Sequence, residues 1–198
     1  LQYKLTGAGD TGANSRYLTE VLADEASRFI ENNQDTPFFL YAAFSAPHTP
    51  LQAPRDLYRN LAHIEDHNTR VYYAMVASLD AAVGRIVDTI DRLGLAENTL
   101  IVFTSDNGGA GYTRIPDLNK PFRGGKATFF EGGVVVPLLM RWKDSAPKGR
   151  KVDEPVGLLD LFATFASIAG ARMPGDIQMD SNSLLPFLGK DGAQYKQK

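Results

Sequence analysis

The sequence predicts an α/β fold, a largely parallel sheet flanked by helices. Two observations carry the prediction. Stretches with helical spacing of apolar residues alternate with short apolar runs. Those runs, at 38–44, 99–104 and 134–140, are almost unbroken, as expected of strands covered on both faces. The predicted order is helix, strand, helix, strand, loop, strand, helix.

Residues 1–17 contain Gly7, Gly9 and Gly12 and read as a loop or entry arm. A helix follows, with Leu18, Leu22, Ala26, Phe29 and Ile30 on one face, Thr19 as N-cap and Asn32-Asn33 at its end. Pro37 then leads into the first strand, 38–44, which ends in the proline-bracketed loop Ser45-Ala46-Pro47-His48-Thr49-Pro50. A long helix is expected over about 67–93, with Met75, Leu79, Val83, Ile86, Ile90 and Leu93 as its stripe and Gly94 just past its end. The second strand, 99–104, runs into Ser105-Asp106-Asn107-Gly108-Gly109. Residues 105–133 are glycine-rich and read mostly as loop, long enough to suggest a functional one. The third strand, 134–140, contains Pro137, which suggests an edge or a bulge. A last helix near 158–169 is closed by Gly170 and Pro174, and a polar tail follows that is expected to be mobile.

The chain has 198 residues, enough for one domain with a substantial core. A net charge of −2 implies no general affinity for nucleic acid or anionic membrane. The absence of cysteine rules out disulfides and thiolate metal sites. No run approaches the roughly 20 apolar residues of a membrane-spanning helix. No secretory signal is visible at the start, but the first residue is Leu1 rather than Met, so that absence says little.

Three polar clusters follow the predicted strands. His48 follows the first, and Asp106 and Asn107 the second. Lys126 lies in the long loop before the third. Parallel neighbouring strands would bring these groups to one rim, where α/β sheets bind ligands. Two adjacent oxygen donors suit a hard divalent cation. Cation, imidazole and ammonium together would stabilise an oxyanion and the charge developing on a leaving oxygen. Each residue also has an ordinary reading. Asp-Asn-Gly is common turn chemistry. His48 alone suits a surface loop, and Lys126 alone suits a solvated side chain. Gly124-Gly125-Lys126 is not a phosphate loop, because Lys120 stands where that motif needs glycine and Ala127 where it needs Ser or Thr. His63 and His67 lack the neighbouring Glu of a zinc-protease helix and read as surface residues.

Several segments, in order, resemble the formylglycine-dependent sulfatases of the alkaline-phosphatase-like superfamily. Leu40–Pro50 resembles the segment that brings a histidine to the sulfate. Tyr73-Ala74-Met75-Val76 through Val83-Gly84-Arg85-Ile86 is similar to the long central helix. Asn98–Gly109 resembles the strand and metal-binding turn. Arg123-Gly124-Gly125-Lys126 with Glu131-Gly132-Gly133 resembles the lysine loop, and Asp160-Leu161-Phe162-Ala163-Thr164 the late helix. The resemblance spans about residues 17 to 189. It implies hydrolysis of sulfate esters, with Asp106 and Asn107 on a calcium ion, magnesium being the alternative. It implies that His48 and Lys126 contact the sulfate near the departing oxygen. Glu131, set among glycines, reads as part of a structural turn.

The family's nucleophile is a formylglycine made from Cys or Ser in a Cys/Ser-x-Pro-x-Arg motif. Here Ser45-Ala46-Pro47 is followed by His48-Thr49 and Ser145-Ala146-Pro147 by Lys148-Gly149, so neither Ser-x-Pro carries the Arg. The early Asp pair of the family's metal site is not visible either. Residues 1–198 are therefore expected to be a partial sulfatase catalytic domain, without the nucleophile-bearing part or the small C-terminal subdomain, and inactive alone. A non-enzymatic fragment or pseudoenzyme lacking the nucleophile and a phosphoryl or phosphonate hydrolase of the same superfamily are the rival readings. Exposed sheet edges would invite self-association. The substrate would be a sulfated small molecule or sulfated carbohydrate, and the family implies a periplasmic, secreted or lysosome-like compartment. Loop 110–122 is the expected specificity determinant.

Overall fold

The structure is a computed structural model, and it describes residues 16–172, 176 and 178–189. The expected N-terminal arm falls mostly outside the described residues, as do Pro174 and nearly all of the polar tail. The chain divides into two compact units, residues 1–95 with 104–138 and residues 96–103 with 139–198. Among the described residues, no helix is long and apolar enough to cross a membrane.

The first unit is built on helices α1 (Leu18–Asn32), α2 (Arg55–Asn60) and α3 (His67–Arg92), with α1 and α2 both packed on α3. Helix α1 is capped two residues earlier than its sequence suggests. Tyr17, not Thr19, is the N-cap, and its carbonyl accepts from Glu20 N and Val21 N. The Tyr17 hydroxyl donates to the Gln52 carbonyl at 2.9 Å and holds that residue in place. Thr19 is drawn into the helix and buried. Asn33 ends α1, as expected.

Helix α3 starts at Asp66, whose Oδ1 accepts from Thr69 N at 2.9 Å and Thr69 Oγ1 at 2.8 Å. These bonds hold its carboxyl below the usual carboxylate range. Leu93 caps the far end, and Gly94 takes the left-handed conformation with φ +72°. The predicted stripe is only partly the buried one. Met75 and Ile90 are buried, but so are Ala74, Ser78 and Ala82. Ala23, Ala26 and Ser27 are the counterparts buried on α1. Small side chains therefore dominate both buried faces, which allows a close approach of the two helices.

The predicted strand at 38–44 is corrected: no strand is assigned there. The segment rests on α1 through an edge-on contact of Phe38 with Phe29, ring centroids 6.0 Å apart. Phe39 and Tyr41 are 68% and 82% exposed, so the run is not covered on both faces. Apolar composition favours an extended backbone, but a strand also needs a ladder partner, which composition does not supply.

Strand β1 (Ile101–Thr104) pairs with β2 (Leu138–Arg141) in a two-stranded sheet, most of which belongs to the second unit. The third predicted strand is thus shorter than its apolar run. Val134 closes a helical turn, α4 (Glu131–Val134), and Pro137, which has no N–H, precedes the first paired residue. Helix α5 (Asp160–Ile168) lies where expected, with Gly170 left-handed at φ +64° behind it. Asp160 accepts from Gly157 N and Asn182 N, each at 2.8 Å. Thr164, fully buried, donates to the Asp160 carbonyl and accepts from Leu184 N. That hydroxyl ties α5 to the segment leading into α6 (Leu185–Leu188).

Candidate functional site

The candidate residues lie in the first unit, on three irregular segments. His48 sits in a turn closed by its own N–H donating to the Ser45 carbonyl at 2.8 Å. The turn is anchored by Ala46, which is buried with Val71 and Met75 of α3, with Leu51, Ala53, Tyr58 and Leu79 packed around them. The long helix thus positions the histidine through its neighbour's methyl group. The His48 ring is oriented by the Thr49 carbonyl, 2.7 Å from Nδ1. A carbonyl only accepts, so Nδ1 carries the proton and Nε2 the lone pair.

Nε2 lies 3.1 Å from Nζ of Lys126, a residue 78 positions away. Lys126 has donors only, so it donates to the imidazole. The turn bearing Lys126 is fixed by Thr128, whose N–H donates to the Gly125 carbonyl at 3.0 Å while its hydroxyl accepts from Gly125 N at 3.1 Å. Ala127 completes that turn with φ +68°, a left-handed backbone that disfavours a Cβ.

Asp106 and Asn107 follow β1 as expected, with the Ser105 hydroxyl donating to the Asn107 carbonyl at 3.0 Å. Their turn is bound to the lysine turn by main chain. Lys126 N donates to the Gly109 carbonyl and Gly108 N to the Gly133 carbonyl, both at 3.0 Å. The glycines allow this contact. A Cβ on Gly108 would lie 1.8 Å from the Gly132 carbonyl oxygen, and one on Gly125 would lie 2.4 Å from the Gly109 carbonyl oxygen. The structure therefore brings the His48 and Lys126 side chains together and sets the Asp106-Asn107 turn against the lysine turn. Glu131 is exposed and opens the α4 turn, in keeping with a structural part. His67 opens α3, where its Nδ1 lies 2.9 Å from the Tyr58 hydroxyl, and His63 precedes that helix.

An aspartate carboxylate beside an asparagine carboxamide is a donor set of the kind a hard divalent cation takes. Two residues do not fill the six to eight positions typical of calcium. Among the described residues, no group of three or more His, Cys, Asp and Glu side chains completes a site. The fit is right in donor type and partial in number.

The sulfatase family model matches residues 2–171 of this chain. The chain belongs to the sulfatase family. It is 41% identical over 187 residues to mouse steryl-sulfatase, covering 91% of this chain and 29% of the relative. Pig N-acetylgalactosamine-6-sulfatase is 38% identical over 175 residues, 86% of this chain and 32% of that protein. Among solved structures, Ps i-CgsB in complex with k-i-k-neocarrahexaose matches with a TM-score of 0.82 at 38% identity, over 87% of this chain and 38% of that one. PsFucS1 sulfatase from Pseudoalteromonas sp. matches with a TM-score of 0.75 at 30% identity, over 91% of this chain and 36% of that one. The chain thus spans about a third of the length of the relatives it matches.

One contact had no counterpart in the sequence reading. The Asn119 side chain bridges the two turns, and the only signal for it was an asparagine in a glycine-rich loop.

Proposed function

We propose that this chain is the central-to-late part of the catalytic domain of a sulfuric ester hydrolase, and that residues outside it supply the nucleophile. The observation that carries the proposal is the 3.1 Å approach of His48 Nε2 to Lys126 Nζ in a chain of the sulfatase family. A sulfate monoester is anionic, and its bridging oxygen gains charge as the S–O bond breaks. Lys126 supplies N–H donors to that charge. The Thr49 carbonyl holds Nδ1–H, so His48 presents Nε2 to the same place. With a sulfate ester bound, Lys126 would turn its N–H donors to the ester, and an imidazole protonated at Nε2 as well as Nδ1 would give the Nε2 proton to the departing oxygen. Asp106 and Asn107 would hold the divalent cation, calcium in our reading, with magnesium the alternative. That cation, when bound, withdraws charge from the sulfate oxygens, and a formylglycine would supply the attacking oxygen.

The substrate class we favour is a sulfated carbohydrate or sulfated small molecule. The complex of Ps i-CgsB, 38% identical to this chain, with k-i-k-neocarrahexaose supports the carbohydrate side. The compartment proposed with it is periplasmic, secreted or lysosome-like. The largely parallel flanked sheet of the family fold would be completed by the rest of the domain.

The test is turnover of an aryl sulfate and the matching aryl phosphate. The 198-residue chain alone should show none above background. Completed with a nucleophile-bearing segment, it should prefer the sulfate, and His48→Ala and Lys126→Ala should each lower turnover by roughly a hundredfold or more. Near-normal turnover in both variants would remove the site assignment. Preference for the phosphate would move the reaction to phosphoryl transfer.

A further inference from the structure

We propose that Asn119 is a positioning residue: its carboxamide locks the lysine turn to the Asp106-Asn107 turn and so sets where the Lys126 ammonium stands. Its role in turnover rests on the sulfatase reading above; the lock itself does not. The Oδ1 atom of Asn119 accepts from Gly109 N at 2.7 Å. Its Nδ2 donates to the Gly109 carbonyl at 2.9 Å and to the Gly124 carbonyl at 3.0 Å. Three of the four hydrogen bonds that a carboxamide can make are therefore spent on two backbone segments. The orientation is unique, because a flipped amide would set Oδ1 against two carbonyl oxygens.

Gly109 lies two residues beyond Asn107, and Gly124 lies two before Lys126. One side chain thus joins the metal-type donors to the ammonium within a few bonds of each. The main-chain bond from Lys126 N to the Gly109 carbonyl reinforces the joint. The surroundings are shaped for the amide. A Cβ on Gly125 would come within 2.7 Å of Asn119 Nδ2, and one on Gly109 within 3.0 Å of Oδ1. The segment bearing Asn119 is itself folded back, with Phe122 N donating to the Asn119 carbonyl at 2.9 Å and Lys120 N to the Asp117 carbonyl at 3.1 Å. Neither Gly109 nor Gly124 can take part in chemistry through a side chain. The amide between them acts through Lys126.

Two measurements test this. Amide hydrogen exchange on the chain reads the lock directly. In Asn119→Ala, the Gly109 and Lys126 amides should exchange tenfold or more faster, while those in the middle of α3 keep wild-type protection. Asn119→Asp has the same shape and keeps the acceptor for Gly109 N, but it loses both Nδ2 donors. It should loosen Lys126 more than Gly109, and it serves where the alanine variant does not fold. Unchanged exchange at both amides in either folded variant overturns the lock.

The second measurement is a double-mutant cycle in the completed enzyme. Asn119→Asp should lower kcat for an aryl sulfate tenfold or more, and lower it further for an alkyl sulfate, whose poorer leaving oxygen depends more on the ammonium. In a Lys126→Ala background the same substitution should cost less than threefold. A full tenfold loss in that background overturns positioning through Lys126. Absence of sulfate turnover in the completed wild-type enzyme would remove the catalytic role and with it the sulfatase reading, while the exchange result still decides the lock.

Discussion

Replacing Gly108 with alanine should damage this chain far more than the loss of a flexible residue would suggest. The added Cβ would lie 1.8 Å from the Gly132 carbonyl oxygen, 2.8 Å from its carbonyl carbon and 3.2 Å from Gly133 Cα. Ordinary non-bonded contacts need about 3.5 Å, so the two turns must part by roughly 1.5 Å. No flexible side chain can absorb the change, because all three of these neighbours are backbone. Separation by that distance breaks the Gly108 N to Gly133 O bond, now 3.0 Å, and strains the Lys126 N to Gly109 O bond of the same length. Two hydrogen bonds at about 1 kcal/mol each, plus overpacking at about 1–3 kcal/mol, predict a loss of about 3–5 kcal/mol. Gly84 is the control. It lies inside α3, and its Cβ would meet nothing within 4 Å. Gly84→Ala should stabilise by about 1 kcal/mol through helix propensity. Urea denaturation followed by circular dichroism measures both. A Gly108→Ala loss below about 1 kcal/mol, or equal losses in the two variants, would refute the close-approach argument.

Other perturbations read different parts of the molecule. The Asp24 carboxyl is held below the usual range chiefly by its hydrogen bond to Arg16, with Arg85 adding to it, and Asp66 is held low by Thr69. Both groups are depressed in the folded state, so their contribution is present above the ordinary carboxylate pKa and fades as pH falls through the folded value. The urea midpoint should therefore drop between about pH 5 and about pH 2, and the Asp24→Asn, Asp66→Asn double variant should show a shallower drop; an equal slope would count against it. Thr164→Val removes the acceptor for the buried Leu184 N–H and should cost about 1–3 kcal/mol in the same assay. Thr164→Ser, which keeps the hydroxyl, should cost less, and the reverse order would contradict the hydrogen-bond account. At Ala127, with φ +68°, glycine should be neutral or stabilising by up to about 1 kcal/mol, because relief of left-handed strain is offset by unfolded-chain entropy. Ala127→Val should destabilise, and a more stable valine variant would show that the turn carries no strain.

Helices were legible where their signals are local. The stripe and Gly94 predicted α3 to within a residue, because spacing and a left-handed C-terminus are properties of a short stretch of chain. The strands were less so. The run at 38–44 has the right composition, yet a ladder depends on a partner elsewhere in the chain. The predicted cap at Thr19 gave way to Tyr17, whose carbonyl accepts from Glu20 N and Val21 N and whose hydroxyl reaches the Gln52 carbonyl, 35 residues away. In the candidate site, His48, Asp106, Asn107 and Lys126 were named from motifs, whereas Asn119 was not. A carboxamide that copies a peptide group leaves no periodic or compositional trace.

The sequence by itself determined the family, the long helices and the residue types available for chemistry, since each is written in identity, spacing and composition. Only the tertiary structure decided that an imidazole and an ammonium 78 residues apart lie 3.1 Å from one another. It also decided that closely approaching glycine backbones and the Asn119 carboxamide hold their turns together. Such contacts join distant stretches of chain, and their geometry is set by packing that no single stretch contains.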